Sequence, residues 1–153
     1  MKSKINFTNL GISIAIPLMV GFLGSIFTVS SVKTWYVTTL IKPSFNPPAW
    51  IFGPVWTFLF VLMGISLYIA RSKKISLKWF WIQLLLNLIW SFLFFGLKLP
   101  LVAFIEIIIL WVAILMNIKS FWPKSKAAAI LLFPYLFWVT FASFLNFTIT
   151  RLN

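Results

Sequence analysis

The sequence predicts an all-α fold, an integral membrane bundle of five transmembrane helices that forms one domain over residues 1–153. Hydrophobic residues make up 62% of the chain and charged residues 9%, and a water-soluble domain of this length could not bury so much apolar surface. The charges leave five apolar stretches, each close to the roughly 20 residues that a helix needs to cross a bilayer. Polarity does not alternate along them, which argues against transmembrane strands. The predicted spans are 8–30, 49–70, 79–97, 100–118 and 127–149.

The first predicted helix carries small residues on one face, which lets a second helix approach closely. They are Gly21, Gly24, Ser25 and Thr28, spaced i, i+3, i+4 and i+7. A signal peptide also begins with positive charge, here Lys2 and Lys4, but this apolar run is longer than the 7–15-residue core typical of such a peptide. We therefore interpret the run as a membrane span.

A proline-rich lid loop is predicted over residues 33–48, between the first two helices. Pro43, Pro47 and Pro48 lie close together and prevent a helix from continuing. The segment is too aromatic for a simple solvated linker, and we expect it to pack over the helix ends. The second helix begins near Pro54, whose missing N–H costs least in the first turn.

The third and fifth helices each present a polar face. Gln83, Asn87 and Ser91 lie at i, i+4 and i+8 of the third helix, and Trp138, Ala142 and Asn146 repeat that spacing in the fifth. Polar side chains inside a membrane face the bundle interior or a cavity. The two faces therefore predict either interhelical hydrogen bonds or one apolar pocket with a few polar groups.

Six of the nine tryptophans form two groups by their depth in the predicted spans. Trp79, Trp81 and Trp122 lie near span ends, as interfacial anchors do. Trp56, Trp90 and Trp138 lie deeper, where an indole N–H needs a helix carbonyl, a water or a ligand as acceptor.

Basic residues are distributed unevenly between the two sides of the predicted bundle. Nine share the side of the N-terminus: Lys2, Lys4, Arg71, Lys73, Lys74, Lys78, Lys119, Lys124 and Lys126. Four lie on the other side: Lys33, Lys42, Lys98 and Arg151. The positive-inside rule then predicts a cytoplasmic N-terminus and an external C-terminus. In a membrane protein the net charge of +12 indicates contact with anionic lipid rather than with nucleic acid.

The residue types that are missing exclude several kinds of chemistry. The chain has no Cys and no His, and Glu106 in the fourth helix is its only acidic residue. A thiolate nucleophile, a histidine base, a carboxylate pair and a protein-bound metal are therefore excluded. A lone carboxylate inside the membrane remains a functional candidate.

Several motifs carry a resemblance to a known family. Residues 35–57 read W-Y-V-T-T-L-I-K-P-S-F-N-P-P-A-W-I-F-G-P-V-W-T. They resemble the translocator protein family, also called tryptophan-rich sensory proteins or peripheral-type benzodiazepine receptors. The family pattern is roughly W-Y-x-x-L-x-K-P-x-W-x-P-P followed by G-P-V-W, and Phe45 stands where the family usually has Trp. Further similar segments are G-F-L-G-S at 21–25, Q-L-L-L-N at 83–87, F-F-G at 94–96, P-Y-L-F-W at 134–138 and F-A-S-F-L-N at 141–146.

The resemblance implies a bundle, often homodimeric, that binds porphyrins and in some members cholesterol or isoquinoline and benzodiazepine-type ligands. It implies no required cofactor. The ligand-binding residues that it implies by motif position are Trp35, Tyr36, Pro47, Trp56, Asn87, Trp138, Ala142, Leu145 and Asn146. The loose sterol motif needs a Tyr before its basic residue, and this chain has Phe147 before Arg151.

Three functions stay open from the sequence. The first is a sensor or carrier that binds a tetrapyrrole, whose large flat ring suits stacked indoles. The second, implied by the resemblance, is light- and oxygen-dependent breakdown of the porphyrin, with Trp56 and Trp138 as candidate electron donors. The third is a small proton-coupled exporter that uses Glu106.

Overall fold

The computed structural model describes residues 5–153, and every regular element in that range is a helix, which confirms the all-α prediction. The α-helices are α1 (Phe7–Ser31), α2 (Phe52–Ser72), α3 (Lys78–Ser91), α4 (Pro100–Phe121), α5 (Lys126–Ile130) and α6 (Phe133–Leu152). Together with adjoining turns they form five segments that are long and apolar enough to cross a membrane, as predicted. These segments are Phe7–Tyr36, Ala49–Ser72, Lys78–Gly96, Pro100–Phe121 and Lys126–Leu152. Lys2 and Lys4 lie outside the described residues.

The first helix is longer than predicted. A π-helical turn, Val32–Tyr36, continues α1, and the chain stays helical to residue 38. The prediction that the lid loop begins at residue 33 is therefore wrong, since no proline interrupts the chain between Pro17 and Pro43. Lys33 does not end the span, because a lysine at a helix end can extend its ammonium group to water. We call residues 39–48, which are not helical, the proline segment.

The fifth span contains a break that the sequence analysis did not predict. Helix α5 ends at Ile130, and α6 begins at Phe133, after two intervening residues, with Pro134 in its first turn. Proline has no N–H to donate to the carbonyl four residues earlier, and its ring clashes with that carbonyl. The break lets α5 pack against α2, where Ser66 Oγ donates to the Ala128 carbonyl at 2.7 Å.

Helices α1 and α2 pack closely because glycine removes the side chain at their contact. A Cβ on Gly64 of α2 would lie 2.3 Å from the Ile14 Cα of α1. A Cβ on Gly21 of α1 would lie 2.3 Å from the Phe60 ring of α2. The predicted packing role of the small-residue face is thus confirmed at Gly21.

The main apolar core lies between α2, α3, α4 and α6. Its fully buried side chains include Met63, Leu67, Phe80, Ile107, Leu110, Ile114, Tyr135 and Val139. A smaller cluster lies near the proline segment and contains Tyr36, Leu40, Phe94, Ala103, Leu145 and Ile149. We call the end of the bundle that carries the proline segment the loop end.

Candidate ligand-binding site

A cavity of about 520 Å³ opens among α1, α2, α3 and α6 in the half of the bundle toward the loop end. Its wall is mostly apolar and aromatic, with a few amide and hydroxyl groups. Seven of the nine residues predicted to bind ligand line it: Tyr36, Trp56, Asn87, Trp138, Ala142, Leu145 and Asn146. The polar face of the fifth span and most of that of the third, all but Gln83, therefore meet at one cavity.

Two carboxamides in the wall are held by hydrogen bonds. Asn87 Nδ2 donates to the Tyr135 hydroxyl at 2.9 Å, and this contact joins α3 to α6. Asn146 Oδ1 accepts from Trp90 Nε1 at 3.2 Å, and its Nδ2 donates to the Pro100 carbonyl at 2.8 Å. Asn87 Oδ1 accepts no hydrogen bond from residues 5–153. The oxygen is therefore free to accept one from a ligand.

Trp56 and Trp138 lie in the wall with both indoles supported by other aromatic rings. Trp56 stacks on Phe60 with ring centroids 5.7 Å apart, and Trp138 meets Phe52 edge-on at 6.1 Å. Neither indole N–H donates to a residue in the described part of the chain. Both side chains therefore offer a ligand a preformed aromatic surface and an unused donor.

Trp35 and Pro47 do not line the cavity. Trp35 packs edge-on against Phe94, which does line it, at 5.6 Å. The Pro47 carbonyl accepts from Asn46 Nδ2 at 3.0 Å, and Asn46 Oδ1 accepts from the Tyr36 hydroxyl. Both residues thus contact or position groups of the wall rather than forming it.

Gln83 and Glu106 also lie outside the wall. Gln83 is fully buried and donates to Met63 Sδ at 3.8 Å, so it belongs to the core between α2 and α3. Glu106 is 7% exposed, and its two carboxylate oxygens have no hydrogen-bond partner among the described residues. Because Glu106 does not reach the cavity, the geometry gives the exporter hypothesis no support.

Sequence reasoning missed part of the wall. Phe94 and Phe95 of the third span line the cavity, as do Gly24, Ser25 and Thr28, which were assigned to helix packing alone. Trp90 also lines it, and the sequence had marked this residue as a deep indole without placing it among the ligand-binding residues. Trp90 lies three residues after Asn87, and this helical spacing was the available signal.

The proline segment is attached to the end of α6. The Asn153 carboxamide accepts from the Ile41 N–H and donates to the Ile41 carbonyl, both at 3.0 Å. Phe45 stacks on Phe144 with ring centroids 5.3 Å apart. Lys42 Nζ donates to the Tyr36, Val37 and Leu40 carbonyls and so satisfies the end of the first helix. The segment is thereby held over the helix ends next to the cavity.

Comparison with known proteins agrees with this architecture. The model of the TspO/MBR family matches residues 13–152. The chain is 47% identical to the tryptophan-rich protein TspO of Chlorobaculum tepidum, over 94% of this chain and 95% of that protein. It is 47% identical to the protein of the same name from Archaeoglobus fulgidus, over 97% and 99%. It is 32% identical to the human translocator protein, over 90% and 85%. The chain, a multi-pass integral membrane protein, belongs to the TspO/MBR family.

Proposed function

We propose that the chain binds a tetrapyrrole in the cavity and acts as a sensor or carrier of it. The observation that carries the proposal is a preformed cavity, with a volume of about 520 Å³, walled by the Trp56 and Trp138 rings. This volume falls within the range of about 300–1,000 Å³ that is usual for small-molecule sites. A flat polarisable ring gains most from such aromatic walls.

The polar groups of the wall match the chemistry of a tetrapyrrole. The free oxygen of Asn87 can accept a hydrogen bond from a pyrrole N–H. The oxygen and the amide nitrogen of Asn146 both form hydrogen bonds within the protein, so its role is to hold the Trp90 indole in place. Asn87 is therefore the residue that orients the ring.

A side opening gives a hydrophobic ligand a route into the cavity. Phe22 and Val29 of α1, and Gly53 and Thr57 of α2, line the cavity and are also exposed on the outside of the bundle. In a membrane these positions face lipid, so a ligand dissolved in the bilayer can enter between the two helices without crossing water.

The experiment that tests the proposal is a titration of the purified protein with protoporphyrin in darkness, following tryptophan fluorescence. We expect saturable quenching with one ring bound per chain. Ala142→Trp, which fills the cavity from α6, should abolish the quenching while circular dichroism shows an intact helical fold. Quenching that survives in this variant would place the ligand outside the cavity.

Asn87→Ala is expected to weaken protoporphyrin binding by about 1–2 kcal/mol, the cost of losing a buried hydrogen-bond partner. Tyr135→Phe is the matched control, because it removes the hydroxyl that Asn87 contacts and leaves the Asn87 oxygen in place. Both variants should lose stability, but only Asn87→Ala should lose affinity. Equal affinity in the wild type and Asn87→Ala would make Asn87 a purely structural residue.

A second candidate function is breakdown of the bound ring in light and oxygen. The observation that favours it is the pair of indoles in the cavity wall, which are far easier to oxidise than phenylalanine. If the indoles donate electrons to the excited ring, replacing Trp56 and Trp138 with Phe should preserve dark binding and stop porphyrin loss under light. Porphyrin loss at the wild-type rate in that variant would remove both residues from this role.

We also propose that the N-terminus is cytoplasmic and the C-terminus external. The charges that support this orientation lie opposite the loop end. They are Arg71 in the last turn of α2, Lys73 and Lys74 just after it, Lys124 between α4 and α5, and Lys126 at the start of α5. Reporter fusions at the two termini should give signals from opposite sides of the membrane, with the N-terminal reporter inside. An external N-terminal reporter would reverse the proposed orientation.

A further inference from the structure

Lys33 is the one charged side chain in the described wall of the cavity. It lies in the π-helical turn that continues α1, one turn before Tyr36, and it is exposed. The rest of the wall consists of apolar, aromatic and neutral polar residues. A single positive charge at the rim of an apolar cavity affects which ligands the cavity binds most tightly.

The ammonium group of Lys33 forms no hydrogen bond or ion pair that would stabilise the fold of residues 5–153. A basic residue in the last turn of a helix usually stabilises the terminal carbonyls. Here Lys42 Nζ already contacts two of them, the carbonyls of Tyr36 at 2.8 Å and Val37 at 3.1 Å, and also the Leu40 carbonyl just beyond the helix at 3.0 Å. Lys33 Nζ donates to none of the described residues. Glu106, the one acidic side chain of the sequence, is buried in α4 and does not line the cavity.

The remaining unpaired polar groups point to the same kind of ligand. The indole N–H groups of Trp56 and Trp138 are donors without an acceptor in the described structure. Together with Lys33, they give the wall three free donors, against the free acceptor Asn87 Oδ1. Such a wall favours an apolar ligand that carries an anionic, hydrogen-bond-accepting group at one edge.

We propose that the cavity selects amphipathic anions, with the ring of the ligand among the aromatic residues and its carboxylate paired with Lys33 at the rim. The inference rests on the proposed function, because it names the charge of the ligand in that same site. In this arrangement the ring is buried in the cavity, and the carboxylate stays in contact with water at the loop end. The free-energy cost of removing the carboxylate from water is therefore small.

A lipid phosphate could supply an anionic group to Lys33 as well, so the test is made in a neutral detergent without anionic lipid. Protoporphyrin, which carries two carboxylates, is compared with its dimethyl ester, which has the same ring and no charge. The variants are Lys33→Gln, Lys33→Arg and Arg151→Gln. Arg151 is the matched control, because it is exposed near the loop end at the last turn of α6 and lies outside the wall.

We expect the wild type to bind the free acid about three- to tenfold more tightly than the ester, the scale of a partly exposed charge-assisted hydrogen bond. Lys33→Gln should lose that preference and bind the ester as the wild type does, which also shows that the variant is folded. Lys33→Arg and Arg151→Gln should keep the preference. Adding phosphatidylglycerol should weaken binding of the acid to the wild type if lipid phosphate competes for Lys33.

Equal binding of acid and ester by the wild type would overturn this inference and leave the proposed function standing. A preference that survives in Lys33→Gln would also overturn it. Failure of both compounds to bind the wild type would overturn the inference and the proposed function together.

Discussion

Replacing Trp56 and Trp138 together with leucine is expected to weaken dark binding of protoporphyrin about five- to hundredfold, because each aromatic contact contributes about 0.5–1.5 kcal/mol. Leucine keeps the wall apolar but removes the flat faces against which the ring packs. The same pair changed to phenylalanine keeps an aromatic face at both positions and should lose much less. The measurement is the dissociation constant obtained from protoporphyrin absorbance, since the variants change the tryptophan fluorescence itself.

A matched control is the pair Trp81→Leu and Trp122→Leu. Both tryptophans are exposed, at 45% and 41%, and neither lines the cavity. This pair should leave the dissociation constant unchanged. If the Trp56/Trp138 and Trp81/Trp122 pairs weaken binding equally, aromatic content rather than the cavity wall determines affinity.

Gly64→Ala is expected to destabilise the protein by about 1–3 kcal/mol, the usual cost of overpacking a filled contact. The new Cβ would lie 2.3 Å from the Ile14 Cα and 2.9 Å from the Ser13 carbonyl oxygen, and backbone atoms cannot rotate away as a side chain can. Helix α1 would have to move away from α2. The midpoint of thermal unfolding in detergent should fall by about 2–12 °C for a chain of this size.

Gly11→Ala is the control for this prediction. A Cβ on Gly11 would meet nothing within 4 Å, so the substitution adds a better helix former to α1 without a clash. We expect its unfolding midpoint to equal or exceed that of the wild type. Equal midpoints for Gly64→Ala and Gly11→Ala would contradict the close packing of α1 on α2.

The five spans were predictable because apolar length decides whether a helix can cross a bilayer. The end of the first span was missed because Lys33 was taken as its limit, although a lysine can stay hydrated from within a helix. The break before α6 follows from Pro134, but an apolar run on both sides of the proline conceals it. Hydrophobicity predicts which segments lie in the membrane, but it does not predict where the helical hydrogen bonds within a segment are interrupted.

The cavity was partly predictable from helical spacing. Asn87 and Asn146 line the cavity, and helical spacing could indicate this because each lies on a regular α-helix, where residues four apart share a face. Gln83 shares that face with Asn87 but lies one turn farther from the loop end, beyond the cavity. Helical spacing gives the face on which a residue lies, but not whether the cavity extends to its position along the helix. Lys33 and Tyr36 lie in a π-helical turn, which holds more residues than an α-helical turn. The α-helical period of 3.6 residues therefore does not predict on which side of the helix these two side chains lie.

A structure of the protein with bound protoporphyrin tests the central claim most directly. The predicted result is one ring inside the cavity, between the Trp56 and Trp138 side chains, with a pyrrole nitrogen within hydrogen-bond distance of Asn87 Oδ1. Density for the ring on the lipid-facing surface of the bundle, with the cavity empty, would contradict the account.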